Sequence, residues 1–195
     1  LTKDDVLVVD KVEDDLPGYK VADALDLPFE EASFDISISI DALEHISPDN
    51  RERFLEGLIK ITKKYVLLAA PFDDGEGMIR GGDEIVYEFI KERLKYEHEY
   101  FKEHLKYDYP SIENTISFFK SKGFDTVILP NGYFHRWLPM MLLTYQLETM
   151  PELKELREKI SRFYNLHFYH LDNREPSYRK LIIASREPFK ELVRK

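Results

Sequence analysis

The sequence predicts an α/β fold built on a mostly parallel sheet, and three observations carry that prediction. Short, β-branched apolar runs recur at 5–10 (DVLVVD), 34–40 (FDISISI) and 65–72 (YVLLAAPF). Between the last two lies a stretch whose apolar residues have helical spacing. Acids close three successive strands, at Asp10, Asp23 and Asp41. Brief buried strands alternating with helices belong to parallel sheets rather than sandwiches.

Each element follows in order. Asp14 to Gly18 is turn chemistry, and 19–22 is a second short strand ending on Asp23. A turn at 30–33 leads into 34–40, where Ile alternates with Ser. Ser47 and Pro48 open a helix as N-cap and first residue, and Phe54, Leu55, Leu58, Ile59 and Ile61 line one face. The strand 65–72 follows. Residues 73–83 hold four glycines and read as a mobile hinge loop. Residues 84–105 read as one charged helix with Ile85, Phe89, Ile90, Leu94, Phe101 and Leu105 on a broad apolar face. Ser111 caps a helix over 111–122 that Gly123 stops. Strand 124–129 resumes the sheet, 132–171 is aromatic and helical with a break at Met150-Pro151, and 179–185 is the last strand. The charged tail from Pro188 onward reads as frayed. One domain spans 1–195, with helical insertions at 73–110 and 131–175 that lie together as a lid.

Composition narrows the function. The chain has 195 residues with 28 basic and 37 acidic side chains, a net charge of −9. No basic block is present to feed on a nucleic-acid backbone, so no nucleic-acid partner is expected. With no cysteine there is no disulfide, thiolate metal site or Cys nucleophile, and a reducing, cytoplasmic setting is expected. No run approaches the roughly 18 apolar residues of a membrane span. The opening LTKDD lacks the order of a signal peptide, and it begins with Leu rather than Met.

Three segments together carry a resemblance. Asp23-Ala24-Leu25-Asp26-Leu27-Pro28-Phe29, then Ser33-Phe34-Asp35, then Leu43-Glu44-His45-Ile46 resemble class I S-adenosylmethionine-dependent methyltransferases, specifically the small-molecule branch. The resemblance implies a Rossmann-like sheet whose last strand is antiparallel. It implies S-adenosylmethionine as cofactor, with Asp10 on the ribose diol and Asp23 on the adenine amino group. Ala24 and Leu25 would flank the adenine ring, and Ile40 and Asp41 the methionine end. The later segments Asn131-Gly132-Tyr133, Arg136-Trp137, 163–169 and Arg174-Glu175-Pro176 look like a subgroup associated with polysaccharide clusters.

One departure stands out. Family members open with a strand and a Gly-x-Gly-x-Gly loop, whereas the first glycine here is Gly18. A parallel sheet does not readily lose its central strand, so a preceding βα unit of roughly 40 residues is expected. The Gly75-x-Gly77 and Gly81-Gly82 pairs follow the wrong strand to replace that loop.

His45 and Asp41 are the candidate catalytic residues for removing a proton from a hydroxyl acceptor. Asp41, Glu44 and His45 would share a face on a helical turn. A similar Glu-x-x-Glu-His holds a divalent ion in some related enzymes, but Leu-Glu-His is common in members without one. No metal ligands are assigned, and His98 and His104, about 240° apart on a helix, form no i, i+4 pair. Tyr133, His135, Arg136, Trp137 and His167 are the candidate acceptor-binding residues, since sugars favour aromatic faces and Arg forks. The expected activity is methyl transfer to a small molecule or saccharide, at oxygen. A non-catalytic binding module and a nicotinamide-dependent oxidoreductase are the alternatives. The helical stretch 84–105 offers a surface for a homodimer.

Overall fold

The central strands form where the apolar alternation is strongest. In the computed structural model, which describes residues 5–189, Phe34–Ile40 (β3) and Thr62–Ala70 (β4) run parallel, with Ile38 opposite Leu67. Arg51–Ile61 (α1) connects them. The last strand, Ser177–Ser185 (β6), runs antiparallel between β4 and Asp125–Tyr133 (β5), giving the order β3-β4-β6-β5. The fold is therefore α/β with a mixed sheet and an antiparallel last strand, as expected.

One sheet face carries the core. Phe54, Leu55 and Leu58 of α1 and Phe119 of Ile112–Ser121 (α4) pack with Val66, Leu68, Ile182 and Ala184. The alternation of β3 meets this core in an unexpected sense. Ser37 and Ser39 are buried beneath the helices, while Ile36, Ile38 and Ile40 are 48%, 62% and 60% exposed. Thr62 donates its hydroxyl to Ser37 at 2.7 Å, which satisfies that buried serine. On the opposite face, Ile38, Leu67, Ile183 and Val127 line up across the four strands. None of the helices among the described residues supplies a core cluster to that row.

Val8–Asp10 (β1) and Tyr19–Val21 (β2) form a separate parallel pair, shorter than the sequence suggests. No ladder joins the pair to β3 among the described residues. Gly18 makes the return possible. Its φ is +72°, and a Cβ there would stand 2.7 Å from the Val6 carbonyl oxygen.

The glycine-rich segment corrects the hinge reading. Asp74 accepts hydrogen bonds from the backbone of Gly77 at 2.7 Å and Ile79 at 3.1 Å, anchoring the start of Met78–Glu88 (α2). Gly81 and Gly82 lie inside that helix. A Cβ on Gly82 would come 2.7 Å from the Phe134 ring and 3.1 Å from Trp137. Packing, not mobility, explains this glycine. The single helix expected over 84–105 is also divided. After α2 comes a wide turn at Phe89–Leu94, then Lys95 with φ +64°, then Glu99–Lys106 (α3).

Phe134–Glu148 (α5) continues through Pro139, and Lys154–His167 (α6) follows the break at Met150-Pro151. Val86, Ile90 and Phe101 pack against Trp137 and Leu138 of α5, which joins the segments 73–110 and 131–175. No described helix is long and apolar enough to cross a membrane. The tail expected to fray falls mainly on 190–195, outside the described residues.

Gly82→Val should destabilise the protein by about 1–3 kcal/mol through overpacking against Phe134 and Trp137. Urea denaturation measures this; an unchanged midpoint would show that α2 and α5 do not pack this closely.

Candidate functional site

The polar centre of the molecule begins with Asp83 on α2, a carboxylate with no solvent exposure. Its Oδ2 accepts from Tyr109, from Tyr178 of β6 at 3.1 Å, and from His104 Nδ1 of α3 at 2.8 Å. Burial and the Asp83 charge push both phenols well above their ordinary pKa. For His104, burial pulls the pKa down, but the hydrogen bond and charge of Asp83, with Glu44, outweigh it and raise the value.

His104 then reaches a second histidine. Its Nε2 lies 3.1 Å from His45 Nε2 and 3.7 Å from Glu44 Oε1. His45 and Glu44 sit on the short turn Leu43–His45 that directly follows β3. His45 Nδ1 is held by Glu103 at 2.9 Å. Burial and the neighbouring His104 lower the His45 pKa, against the opposing pull of Glu103. Glu44 is 2% exposed, and burial pushes its pKa up to about 8. Neither of its oxygens has a hydrogen-bond partner among the described residues. Glu44, His45 and His104 can each offer one ligand atom, all within 4.8 Å of one another.

His104 and Asp83 were not legible as site residues because their partners lie on elements distant in sequence. The only sequence signal was an acid inside an otherwise apolar helical face.

Residues 6–70 match the family model of the methyltransferase domain. No curated protein matches the chain. Among solved structures, a SAM-dependent methyltransferase from Thermotoga maritima is similar at 17% identity and a TM-score of 0.49, over 87% of this chain and 64% of that one. A phosphoethanolamine N-methyltransferase 2 from Haemonchus contortus, in complex with S-adenosyl-L-methionine, is similar at 18% identity and a TM-score of 0.48, over 87% and 37%. The chain thus spans less than two thirds of the length of either structure.

Within the matched segment, Asp10 closes β1, and its Oδ1 accepts from the Val12 backbone at 3.1 Å. Asp23 follows β2, and its Oδ1 accepts from Leu25 at 2.8 Å. Ala24 and Leu25 are half-buried against the core. Ile40 is exposed at the end of β3. Asp41 does not converge with Glu44 and His45 as a helical turn would require. Its φ is +49°, and its carboxylate pairs with Arg179 at 2.5 Å.

The candidate acceptor residues divide. Trp137 stacks on Tyr178 with centroids 3.6 Å apart and belongs to the packing between α5 and the sheet. Tyr133 lies beneath Arg174 at 3.9 Å and Arg136 at 5.4 Å, and Arg136 pairs with buried Asp172 at 2.5 Å. His135 is exposed beside Tyr133, whereas His167 is exposed on α6 against Phe163.

Asp83→Ala should cost about 3 kcal/mol, because Tyr178 and His104 lose their buried acceptor together. In a double-mutant cycle Tyr178→Phe should cost much less in the Asp83→Ala background than alone. Additive effects would show that the carboxylate does not bind the two elements.

Proposed function

We propose that this chain is the larger part of an S-adenosylmethionine-dependent methyltransferase that acts on a small-molecule or saccharide hydroxyl. The observation that carries the reading is the pair Asp10 and Asp23. They stand at the carboxyl ends of adjacent parallel strands within the methyltransferase-domain segment. Ligands of open α/β sheets bind outside those ends.

The residues present fit the nucleoside half of the cofactor. One oxygen of each carboxylate is oriented by its own turn, which leaves the other for ribose hydroxyls at Asp10 and the adenine amino group at Asp23. Ala24 and Leu25 supply the apolar wall. The methionine half needs a close backbone approach, and Gly18 is already committed to the β1–β2 return. The unpaired edges of β1 and β3 and the bare Ile36, Ile38 and Ile40 face suit one further strand with its loop and helix. We assign the methionine-binding loop to that unit.

S-adenosylmethionine supplies a methyl group on a sulfonium whose departure is already favourable. The protein's part is alignment and handling of the acceptor's proton. Ile40 and Asp41 close β3 beside the donor end, and Asp41, paired with Arg179, positions that strand end. The cluster of His45, His104 and Glu44 begins within four residues of it and is assigned to the acceptor's proton. Tyr133, His135 and Arg136, with Arg174, offer the exposed cation–aromatic surface for an acceptor.

Calorimetry with S-adenosylhomocysteine on the full-length protein tests this reading. Asp10→Ala and Asp23→Ala should each weaken binding by about tenfold or more, the loss of roughly 1.4 kcal/mol. Unchanged affinity in both variants sinks the assignment, and binding of NADH in place of the homocysteine ligand would favour an oxidoreductase.

A further inference from the structure

We propose that Glu44, His45 and His104 bind a divalent transition-metal ion of the zinc, cobalt or manganese class. The three donor atoms lie within 4.8 Å of one another, and two of their spacings are those of ligands on one ion. Two nitrogens bonded to one tetrahedral ion at about 2.05 Å are about 3.3 Å apart. The two Nε2 atoms are 3.1 Å apart, and Glu44 Oε1 is 3.7 Å from His104 Nε2.

The outer contacts fix which nitrogen is available. His45 Nδ1 faces Glu103 at 2.9 Å, and His104 Nδ1 faces Asp83 at 2.8 Å. An ionised carboxylate only accepts, so each Nδ1 carries its hydrogen and each Nε2 presents a lone pair. A carboxylate behind each ligating imidazole is the usual arrangement around a bound metal. Two lone pairs facing each other at this distance require a proton or a cation between them. A proton would satisfy the two rings and leave Glu44, 2% exposed, with both oxygens unpartnered. A metal ion satisfies all three residues. Its double charge also offsets the carboxylates of Glu44, Asp83 and Glu103 that surround the site.

Two imidazoles and one carboxylate suit borderline transition ions, whereas calcium and magnesium favour all-oxygen shells. Three protein donors leave a coordination position open, as in catalytic rather than structural sites. On the methyltransferase reading, on which only this step rests, an ion with that position open to the acceptor's oxygen would lower the pKa of its hydroxyl, whose proton passes to solvent water as the methyl group arrives. The cluster then handles the acceptor's proton through the ion rather than as a free base.

Titration of chelator-stripped, full-length protein with Co2+, followed by visible absorption and displacement with Zn2+, tests the site. One equivalent should bind and give the intense band of low-coordinate cobalt. His45→Ala and His104→Ala should abolish that band, and Glu103→Gln, behind the ligands, should weaken binding about tenfold. Glu44→Gln, which replaces the carboxylate donor by an amide of the same shape, should weaken Co2+ binding about tenfold or more while circular dichroism stays that of the native protein. Circular dichroism checks that each variant folds; should His104→Ala fail to fold, the more exposed His45 carries the test. Absence of saturable binding at millimolar Co2+ by folded native protein, or undiminished binding in His45→Ala, overturns the proposal. S-adenosylhomocysteine affinity measured on the same samples separates failure of this site from failure of the methyltransferase reading.

Discussion

A carboxylate removed from water must find donors elsewhere in the chain, and Asp83 draws them from three places at once. Tyr178 comes from the last strand, His104 from α3, and Tyr109 from the segment leading into α4. All three bonds converge on Oδ2, so the hub holds α2, α3 and β6 in one arrangement. That arrangement fixes where His104 points. His104 in turn meets the turn after β3, which is how an insertion far along the sequence completes a site begun in the first fifty residues. Gly82, next to Asp83, serves the same end. Its missing side chain lets Phe134 approach, so α2 settles close enough to aim Asp83 at the sheet.

The sheet makes the opposite demand. Its helices cover the side carrying Ser37 and Ser39, and the isoleucines of β3 face away from them. Thr62 satisfies the buried Ser37, whereas nothing among the described residues covers the isoleucine row. Among the described residues the same strand also has an unpaired edge, as does the β1–β2 pair. The uncovered apolar face and an unpaired edge thus both belong to β3. One additional strand with its helix would resolve both faults, which is why the two observations support a single reading rather than two.

Much of the framework was legible in the sequence. Strand periodicity located β3, β4 and β6, the Ser111 cap and Gly123 stop bracketed α4, and the acids at strand ends pointed to one edge of the sheet. These are local signals, and local physics decided them. What escaped is long-range. Glycines at 81 and 82 read as a hinge because helix propensity registers the missing side chain and cannot register the aromatic ring that fills its place. Residues 84–105 read as one helix because the apolar face persists through Lys95, where the backbone turns left-handed. Asp41 was grouped with Glu44 and His45 on an assumed helical turn, but its positive φ sends the carboxylate toward Arg179 instead.

The histidines show the same limit most sharply. Taken along one helix, His98 and His104 have the wrong separation to share a ligand, and that geometry is sound. The relevant pair is His45 and His104, 59 positions apart, brought together because α3 packs across the turn that follows β3. Periodicity within an element cannot report such a pair. In the structure His104 shares the buried side of α3 with apolar Phe101, a placement that ordinarily signals a core residue. Asp83 makes the difference between the two meanings: a buried acid behind an imidazole orients the ring and keeps its outer nitrogen basic. A core histidine needs no such partner, and a second imidazole with its own carboxylate at its back needs one even less. The chemistry of this molecule is therefore read from which side chains stand behind the histidines, not from where the histidines fall in the chain.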